Sequence, residues 1–156
     1  KVIIEILKKE KINVISSIHF NPELTGKKGL HTKIKPTRAE IKSINRGIKY
    51  LAKTNSYDHI QALVVRDNKI IAKEDNRGTK KMMTKLKNNS GGILIKFPKK
   101  KQDLRMDLPT IGIQTIKDCK KYGLKGIVLK SKKNIFLDKS KSIEFADKNK
   151  IFILIK

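Results

Sequence analysis

Short clusters of apolar residues recur along the whole chain, and their spacing alternates between the helical and the strand period. The pattern predicts the end of a helix over residues 1–11 and a strand over residues 12–19, followed by a linker that runs to Pro36. After the linker, Thr37 and Glu40 have the spacing of a capping box, in which each side chain satisfies an exposed amide at a helix start. A helix is therefore predicted from this point, with an apolar face formed by Ile41, Ile44, Ile48 and Leu51.

The remainder of the chain continues the alternation of short strands and helices. Its pattern predicts strands over residues 61–66, 69–74, 92–97, 126–130, 134–137 and 151–155, and helices over residues 79–87, 113–122 and 140–149. Residues 37–97 and 113–155 therefore show the same order of helix, strand, strand, helix and strand. This order predicts an α/β fold with a mixed sheet flanked by helices, arranged as two similar halves unless the recurrence is a coincidence of the alternation.

The length of the chain limits its domain organisation. Its 156 residues are enough for one domain with a core and a remnant of a second domain. The boundary is predicted near residue 30, so that residues 1–30 form the remnant of an amino-terminal domain with its linker and residues 31–156 form the main domain. Because the apolar pattern is already under way at Lys1, we expect the chain to be part of a larger protein.

The net charge of +24 results from 38 Lys and Arg residues against 14 Asp and Glu residues. Such a charge attracts polyanions, which include nucleic acids and anionic lipid surfaces. The basic residues are spread through every segment, however, and form no arginine-rich stripe or aromatic-interleaved platform of the kind that nucleic-acid binders use. The spread favours solvated lysines over a nucleic-acid interface.

Cys119 is the one cysteine of the chain, which excludes an intrachain disulfide and a cysteine-based zinc site and favours a reducing compartment such as the cytoplasm. It falls on the apolar face of a predicted helix, so we expect a small core residue. No apolar run approaches the roughly 20 residues of a membrane span.

The polar loop at residues 102–112 concentrates the residues best suited to chemistry. Asp103 and Asp107 lie four residues apart and can share a magnesium ion with the phosphate oxygens of a substrate. Arg105 lies between them and has the forked donor geometry that suits a phosphate. The loop follows an apolar strand, where open α/β sheets tend to bind their ligands. The alternative is a surface loop that carries a local ion pair.

The same loop carries a resemblance to a known family. Residues 92–112, GILIKFPKKKQDLRMDLPTIG, resemble the strand and loop of the LpxI family, in which a Lys-ended strand precedes a Gln-Asp-x-Arg-x-Asp-x-Pro-x-Ile-Gly run. The similarity extends over the whole chain, and residues 1–36 resemble the end of the family's amino-terminal domain and its linker. Further matching positions are Asp58, Gln61, Ala62, Gly78, Thr79, Met82, Thr115, Ile116, Gly123, Gly126, Leu137, Asp138, Ala146 and Asp147.

The resemblance implies a Mg²⁺-dependent hydrolase of lipid A biosynthesis that splits the pyrophosphate of UDP-2,3-diacylglucosamine into UMP and 2,3-diacylglucosamine 1-phosphate (lipid X). It implies a peripheral protein at the cytoplasmic face of the bacterial inner membrane, with an anionic membrane surface as its partner, no nucleic acid, and a homodimer left open. By position, the catalytic residues would be Asp103, Asp107 and Gln102. The metal ligands would be Asp103, Asp107 and Glu74, and phosphate would be bound by Arg105, Lys96, Gly78, Thr79, Gln61 and Thr110.

Three positions depart from the family pattern. Arg77 and Lys80 flank Gly78-Thr79 where the family usually reads Glu-Gly-Thr-Asp, and Ile60 replaces a glycine. Of that acidic group only Glu74 remains, and a cation in place of a carboxylate repels a metal ion. Two alternatives therefore stand beside the enzyme: an inactive relative, and a nonenzymatic basic domain that binds RNA or anionic lipid headgroups.

Overall fold

A six-stranded mixed sheet forms the centre of the computed structural model, which describes residues 2–54, 60–86, 91–99 and 102–156. The helices are α1 (Val2–Lys9), α2 (Ser17–Phe20), α3 (Arg38–Thr54), α4 (Gly78–Thr84), α5 (Ile113–Lys121) and α6 (Lys139–Lys148). The strands are β1 (Gly29–Leu30), β2 (Ala62–Arg66), β3 (Lys69–Lys73), β4 (Ile93–Lys96), β5 (Thr110–Ile111), β6 (Gly126–Leu129), β7 (Ile135–Phe136) and β8 (Phe152–Ile155).

The sheet has the strand order β1-β8-β6-β4-β2-β3, and a separate small sheet pairs β5 with β7. β4, β6 and β8 run parallel, as expected for strands joined by helical crossovers, whereas β2 is antiparallel to both of its neighbours. β2 and β3 form a hairpin whose turn residues Asp67 and Asn68 both have positive φ values, 47° and 58°. Asp and Asn tolerate this conformation, and the resulting turn matches the twist of the two strands.

Helices cover both faces of the sheet. α3 packs Ile44 and Leu51 on one face, against a cluster that includes Leu63 and Ile95. α4, α5 and α6 pack on the other face, where Met82, Ile116 and Ala146 belong to a second cluster. The strands are buried from both sides, which explains why β2, β4, β6 and β8 read as nearly continuous apolar runs.

The structure confirms the predicted α/β class and the mixed sheet flanked by helices. The capping box is also confirmed: the Thr37 amide donates to Glu40 Oε2 at 2.7 Å, and the Glu40 amide donates to Thr37 Oγ1 at 3.2 Å. Cys119 is fully buried in the core, and desolvation raises the pKa of its thiol to about 12. A thiol in this state is a packing group and no nucleophile.

Two predictions about strands are wrong. The strand predicted over residues 12–19 does not form; this segment instead leads into α2, and Ile12 and Ile15 remain about half exposed. The linker predicted to run to Pro36 contains β1, which pairs with β8 at one edge of the sheet.

The second of the two predicted halves also differs in its strand pairing from the predicted arrangement. The element order recurs as predicted, but β7 leaves the large sheet and pairs with β5, a strand inside the region predicted to be a polar loop. The hairpin of β2 and β3 therefore has no counterpart in the pair of β6 and β7.

Some predictions fall outside the described residues, namely the matching position Asp58 and the helix end at Lys87. The domain boundary near residue 30 stays a prediction, although β1 adds Gly29 and Leu30 to the sheet. Of the helices in the described ranges, none combines the length and the apolar composition that a membrane crossing requires.

Candidate active site

A surface cavity of about 390 Å³ opens at the carboxyl end of β4, on the side of the sheet that α4 and α5 cover. Its wall contains Gln61, Glu74, Gly78, Thr79 and Lys96, five of the residues predicted to bind phosphate or metal. The position agrees with the general location of ligand sites in open α/β sheets, outside the carboxyl ends of parallel strands.

The strand ladder brings three of these residues together. Because β2 is antiparallel to β4, the residue that precedes β2 lies beside the end of β4, and the Phe97 amide donates to the Gln61 carbonyl at 2.8 Å. On the other side, the Glu74 amide at the end of β3 donates to the Ala62 carbonyl at 3.0 Å. Gln61 is therefore held between Glu74 and the segment that carries Lys96.

Glu74 is a buried carboxylate whose two oxygens are both engaged. Glu74 as a whole residue is only 5% exposed. Oε1 accepts a hydrogen bond from Thr79 Oγ1 at 2.7 Å, and Oε2 accepts one from the Gln61 amide at 3.0 Å. A buried carboxylate must be satisfied in this way, and it thereby fixes the start of α4 against the start of β2.

Lys96 supplies a half-buried cation to the cavity. Its ammonium donates to the Thr110 carbonyl at 3.3 Å, which ties the end of the 102–112 loop to the end of β4. Burial lowers the pKa of Lys96, because the charged form is desolvated, and the negative charge of Glu74 acts against this and raises it. The balance of these two effects determines how much positive charge Lys96 presents to a bound anion.

Replacing Glu74 with Gln should lower the pKa of Lys96, because the change removes the charge that favours the ammonium and leaves the effect of burial. An NMR titration of the Lys96 side chain measures this. Asp118→Asn is the matched control, since Asp118 lines the same cavity but does not contribute to the shift. An unchanged Lys96 titration in Glu74→Gln, or an equal shift in the control, contradicts the prediction.

The side-chain oxygen of Gln61 is a buried acceptor without a hydrogen-bond partner among the described residues. Leaving such a group unpaired costs about 1–3 kcal/mol. Since Gln61 lines the cavity, a donor on a bound molecule can supply the missing bond. This atom is the strongest sign in the cavity that a ligand completes it.

Two more cationic side chains, Arg77 and Lys80, line the cavity, and they differ in their contacts. Arg77 is engaged by Asp75, with Nε donating to Oδ2 at 3.1 Å, and this contact lowers the pKa of the Asp75 carboxyl. Lys80 is exposed, and its ammonium has no partner within the described ranges. The cavity wall thus contains three cations, Arg77, Lys80 and Lys96, against two carboxylates, Glu74 and Asp118.

Thr115 and Asp118 of α5 also line the cavity and were not predicted as site residues. A signal was available. They are three residues apart on the helix that directly follows the 102–112 loop, so they share a helical face.

The 102–112 loop places its own functional groups in local contacts. Asp103 accepts a forked pair of bonds from Arg105, Nε to Oδ1 at 2.9 Å and Nη2 to Oδ2 at 2.7 Å. The Arg105 side chain is the main reason that the pKa of Asp103 falls to about 2. The Asp107 amide donates to the Asp103 carbonyl at 3.0 Å, so the backbone makes one helix-like turn between the two residues. Gln102 Oε1 accepts from the Lys99 amide at 2.9 Å.

Comparison of the chain with known proteins shows its family. The model of the LpxI C-terminal domain matches residues 27–154, which contain both the cavity and the loop. The chain belongs to the LpxI family. A relative from Caulobacter vibrioides named UDP-2,3-diacylglucosamine pyrophosphatase LpxI is 26% identical over 162 aligned residues. The alignment covers 97% of this chain and 58% of that protein, so the chain spans little more than half the length of the relative.

Within this LpxI domain the predicted site residues separate into two groups. Gln61, Glu74, Gly78, Thr79 and Lys96 share the cavity, and Thr110 joins them through its carbonyl. The remaining four, Gln102, Asp103, Arg105 and Asp107, are all described but are not part of the cavity wall. Their proposed roles stay predictions, and the local ion pair that was the alternative for the loop is present between Asp103 and Arg105.

The predicted trio of metal ligands, Asp103, Asp107 and Glu74, does not assemble. Across the described part of the chain, no three His, Cys, Asp or Glu side chains are grouped so that they could hold a metal ion. The hydrogen bonds of Glu74 give a physical reason, since its two oxygens accept from Gln61 and Thr79 and not from any group of the loop. Mg²⁺ commonly uses only one or two carboxylates together with substrate phosphates, so a site on Asp103 and Asp107 stays a prediction. In this structure Arg105 donates to both oxygens of Asp103.

Proposed function

We propose that the intact protein hydrolyses the pyrophosphate bond of UDP-2,3-diacylglucosamine, releasing UMP and 2,3-diacylglucosamine 1-phosphate. The observation that carries this proposal is the cavity at the end of β4, which places Lys96 and the unpaired Gln61 oxygen next to the family's loop. Membership of the LpxI family and the name of the Caulobacter relative support the choice of substrate.

In this proposal, one group of residues binds the diphosphate and another activates the attacking water. Lys96 binds the negative oxygens of the diphosphate, Lys80 adds an exposed and water-screened positive charge, and the Gln61 oxygen accepts a hydrogen bond from a donor group of the ligand. Charge neutralisation of this kind supplies much of the rate in phosphoryl chemistry. Asp107 is exposed and its carboxylate has no partner in the described ranges, so it is free to orient the attacking water.

We propose that the reaction depends on Mg²⁺. Asp103 and Asp107 would hold Mg²⁺ together with the substrate phosphates, and the ion would neutralise charge that develops on the diphosphate. Arg105 lowers the pKa of the Asp103 carboxyl, so the ionised form that metal binding requires persists to more acidic pH than in a free aspartate. Glu74 is instead proposed to position Gln61 and Thr79, as its hydrogen bonds indicate.

We further propose that the protein works at the cytoplasmic face of the inner membrane, without crossing it. The net charge of +24 supports attraction to anionic headgroups, which amounts to about 1 kcal/mol for each basic residue near the surface. The substrate of the Caulobacter relative is a lipid by its name, so the proposed reaction requires access to a bilayer.

The test is the release of UMP from the lipid substrate with Mg²⁺ present. Asp103→Ala and Asp107→Ala should each lower the rate by at least about 100-fold, because either change removes a carboxylate from the proposed metal site. Glu144→Ala is the matched control, since Glu144 is an exposed carboxylate on α6 that pairs with Lys148, away from the cavity and the loop. Full activity in both aspartate variants would show that the loop is not the catalytic element.

The rival function is a nonenzymatic basic domain that binds RNA. The exposed Lys80 on the cavity rim is the observation that favours it. Such a domain would lose affinity for RNA steeply and linearly in a plot of log affinity against log salt, and it would be indifferent to Asp103→Ala. No RNA binding at low salt, with UMP release intact, excludes this function.

A further inference from the structure

The carboxylate of Asp103, one of the two proposed metal ligands, is already occupied by a side chain of its own loop. The Arg105 amide donates to Oδ1 at 3.1 Å, Nε donates to Oδ1 at 2.9 Å, and Nη2 donates to Oδ2 at 2.7 Å. A carboxylate has about four lone-pair positions, so these three bonds leave little room for a metal ion. The adjacent guanidinium also repels a cation.

This ion pair is accessible to a ligand. The Arg105 side chain is 48% exposed and the Asp103 side chain is 28% exposed, so water screens their attraction and the pair contributes little to stability. The forked donors of a guanidinium match a phosphate group as well as they match a carboxylate. A phosphate-bearing ligand therefore competes with Asp103 for Arg105.

The residue next to Asp103 shows that the hydrogen bonding of the loop is incomplete in this arrangement. Gln102 uses its oxygen to accept from the Lys99 amide at 2.9 Å, but its Nε2 group is buried and has no acceptor among the described residues. A buried donor without an acceptor is unfavourable. An Asp103 carboxylate released by Arg105 supplies an acceptor beside it, which favours a second arrangement of these side chains.

The backbone around the ion pair is held from both sides. The Ser16 hydroxyl donates to the Leu104 carbonyl at 3.0 Å, and the Lys96 ammonium donates to the Thr110 carbonyl at 3.3 Å. Arg105 lies between these two contacts and has a long side chain with several rotatable bonds. Its transfer from a carboxylate to a phosphate therefore requires rotation of the side chain and no movement of the loop.

We propose that the Asp103–Arg105 ion pair is a latch: a phosphate-bearing ligand takes over Arg105, and the released Asp103 carboxylate then binds a divalent cation. The latch rests on the proposed function, which assigns the cation to Asp103. Anion and cation bind in mutual support, and each raises the affinity for the other by the same factor. Without the anion, the guanidinium keeps the cation off Asp103.

The first test measures binding of inorganic pyrophosphate to the intact protein by calorimetry, with EDTA present to remove divalent cations. Asp103→Asn should tighten binding about threefold to fivefold, because it releases Arg105 from an exposed ion pair. Asp107→Asn is the matched control, since it removes an equal charge from the same loop but frees no arginine. Equal affinities in the two variants, or no tightening in Asp103→Asn, overturn the latch.

The second test follows the side chains of the unaltered protein by NMR, again with EDTA. Pyrophosphate should shift the Arg105 Nε–H resonance, which is assigned by its loss in Arg105→Lys, and should also shift the side-chain amide resonances of Gln102. A guanidinium resonance that stays in place at saturating pyrophosphate means that Asp103 keeps Arg105, and the latch is then refuted.

The third test measures Mn²⁺ binding by electron paramagnetic resonance in the absence of any phosphate. Arg105→Gln should bind Mn²⁺ about threefold to tenfold more tightly than the unaltered protein, because no guanidinium then occupies Asp103. Arg77→Gln is the control and should change the affinity less than about twofold: it breaks an ion pair of the same spacing, with Asp75, which Lys85 still holds. Equal affinities in the two variants contradict the proposal.

These readouts separate the latch from the hydrolase, because none of them is a rate of hydrolysis. Exchange of Arg105 without any UMP release would refute the hydrolase and keep the latch. UMP release that depends on Asp107, with no exchange of Arg105, would refute the latch and keep the hydrolase.

Discussion

Lys96→Met should reduce UMP release by about 100-fold to 1,000-fold, the range found when one group that stabilises transition-state charge is removed. The methionine keeps the length and the apolar stem of the lysine in a half-buried position, so the change removes chiefly the ammonium. That ammonium is the predicted phosphate ligand that the structure places at the end of β4, where the sheet meets the loop. The rate of UMP release and the affinity for UMP are the measurements.

Lys80→Met is the control for this experiment. Lys80 lines the same cavity but is exposed, so water screens its charge and we expect a loss of less than about tenfold. Lys96 also anchors the Thr110 carbonyl, and a purely structural role would lower the melting temperature without selectively affecting UMP affinity. Activity of Lys96→Met within threefold of the unaltered protein would remove Lys96 from the site.

The large sheet could be predicted because its main strands are buried on both faces. Such strands must be apolar at nearly every position, and runs such as Ile93–Lys96 and Phe152–Ile155 are visible in the sequence without any knowledge of their partners. Helices α3 and α5 could be predicted for the complementary reason, since each buries one stripe of side chains at the helical period.

The errors arose where pairing is decided by distant segments. Residues 12–19 have the composition of a strand, but composition does not show which segment pairs with an existing strand, and β1 is the segment that pairs with β8. β1 and β5 have two residues each, too few to show any period. β7 was recognised as a strand, yet its partner β5 could not be identified from local pattern.

The candidate site shows the same contrast between features visible in the local sequence and features that depend on distant segments. The resemblance to the LpxI family selected Gln61, Glu74 and Lys96, and their convergence then depends on the antiparallel pairing of β2 with β4, which the sequence does not display. The direction of the Asp103 side chain was also hidden. It is set by a contact with Arg105 two residues later, where the amide and the guanidinium of Arg105 both donate to the carboxylate.

The core on the α3 face of the sheet contains a close contact between Gly126 and Phe152, which face each other on the neighbouring strands β6 and β8. Phe152 is 1% exposed, and a Cβ added at Gly126 would overlap its ring. Phe152→Ala should therefore lower the free energy of unfolding by about 3–5 kcal/mol, because it removes a large buried ring and leaves a cavity. Denaturant unfolding followed by circular dichroism measures this.

A second substitution tests whether the ring and the glycine act as a pair. Gly126→Ala alone should cost about 1–3 kcal/mol, since the new methyl group overpacks a filled space. In the Phe152→Ala background the same methyl group enters the space that the ring has left, so Gly126→Ala should cost much less there, and the two losses should not add. Additive losses would mean that the ring does not occupy the space above Gly126.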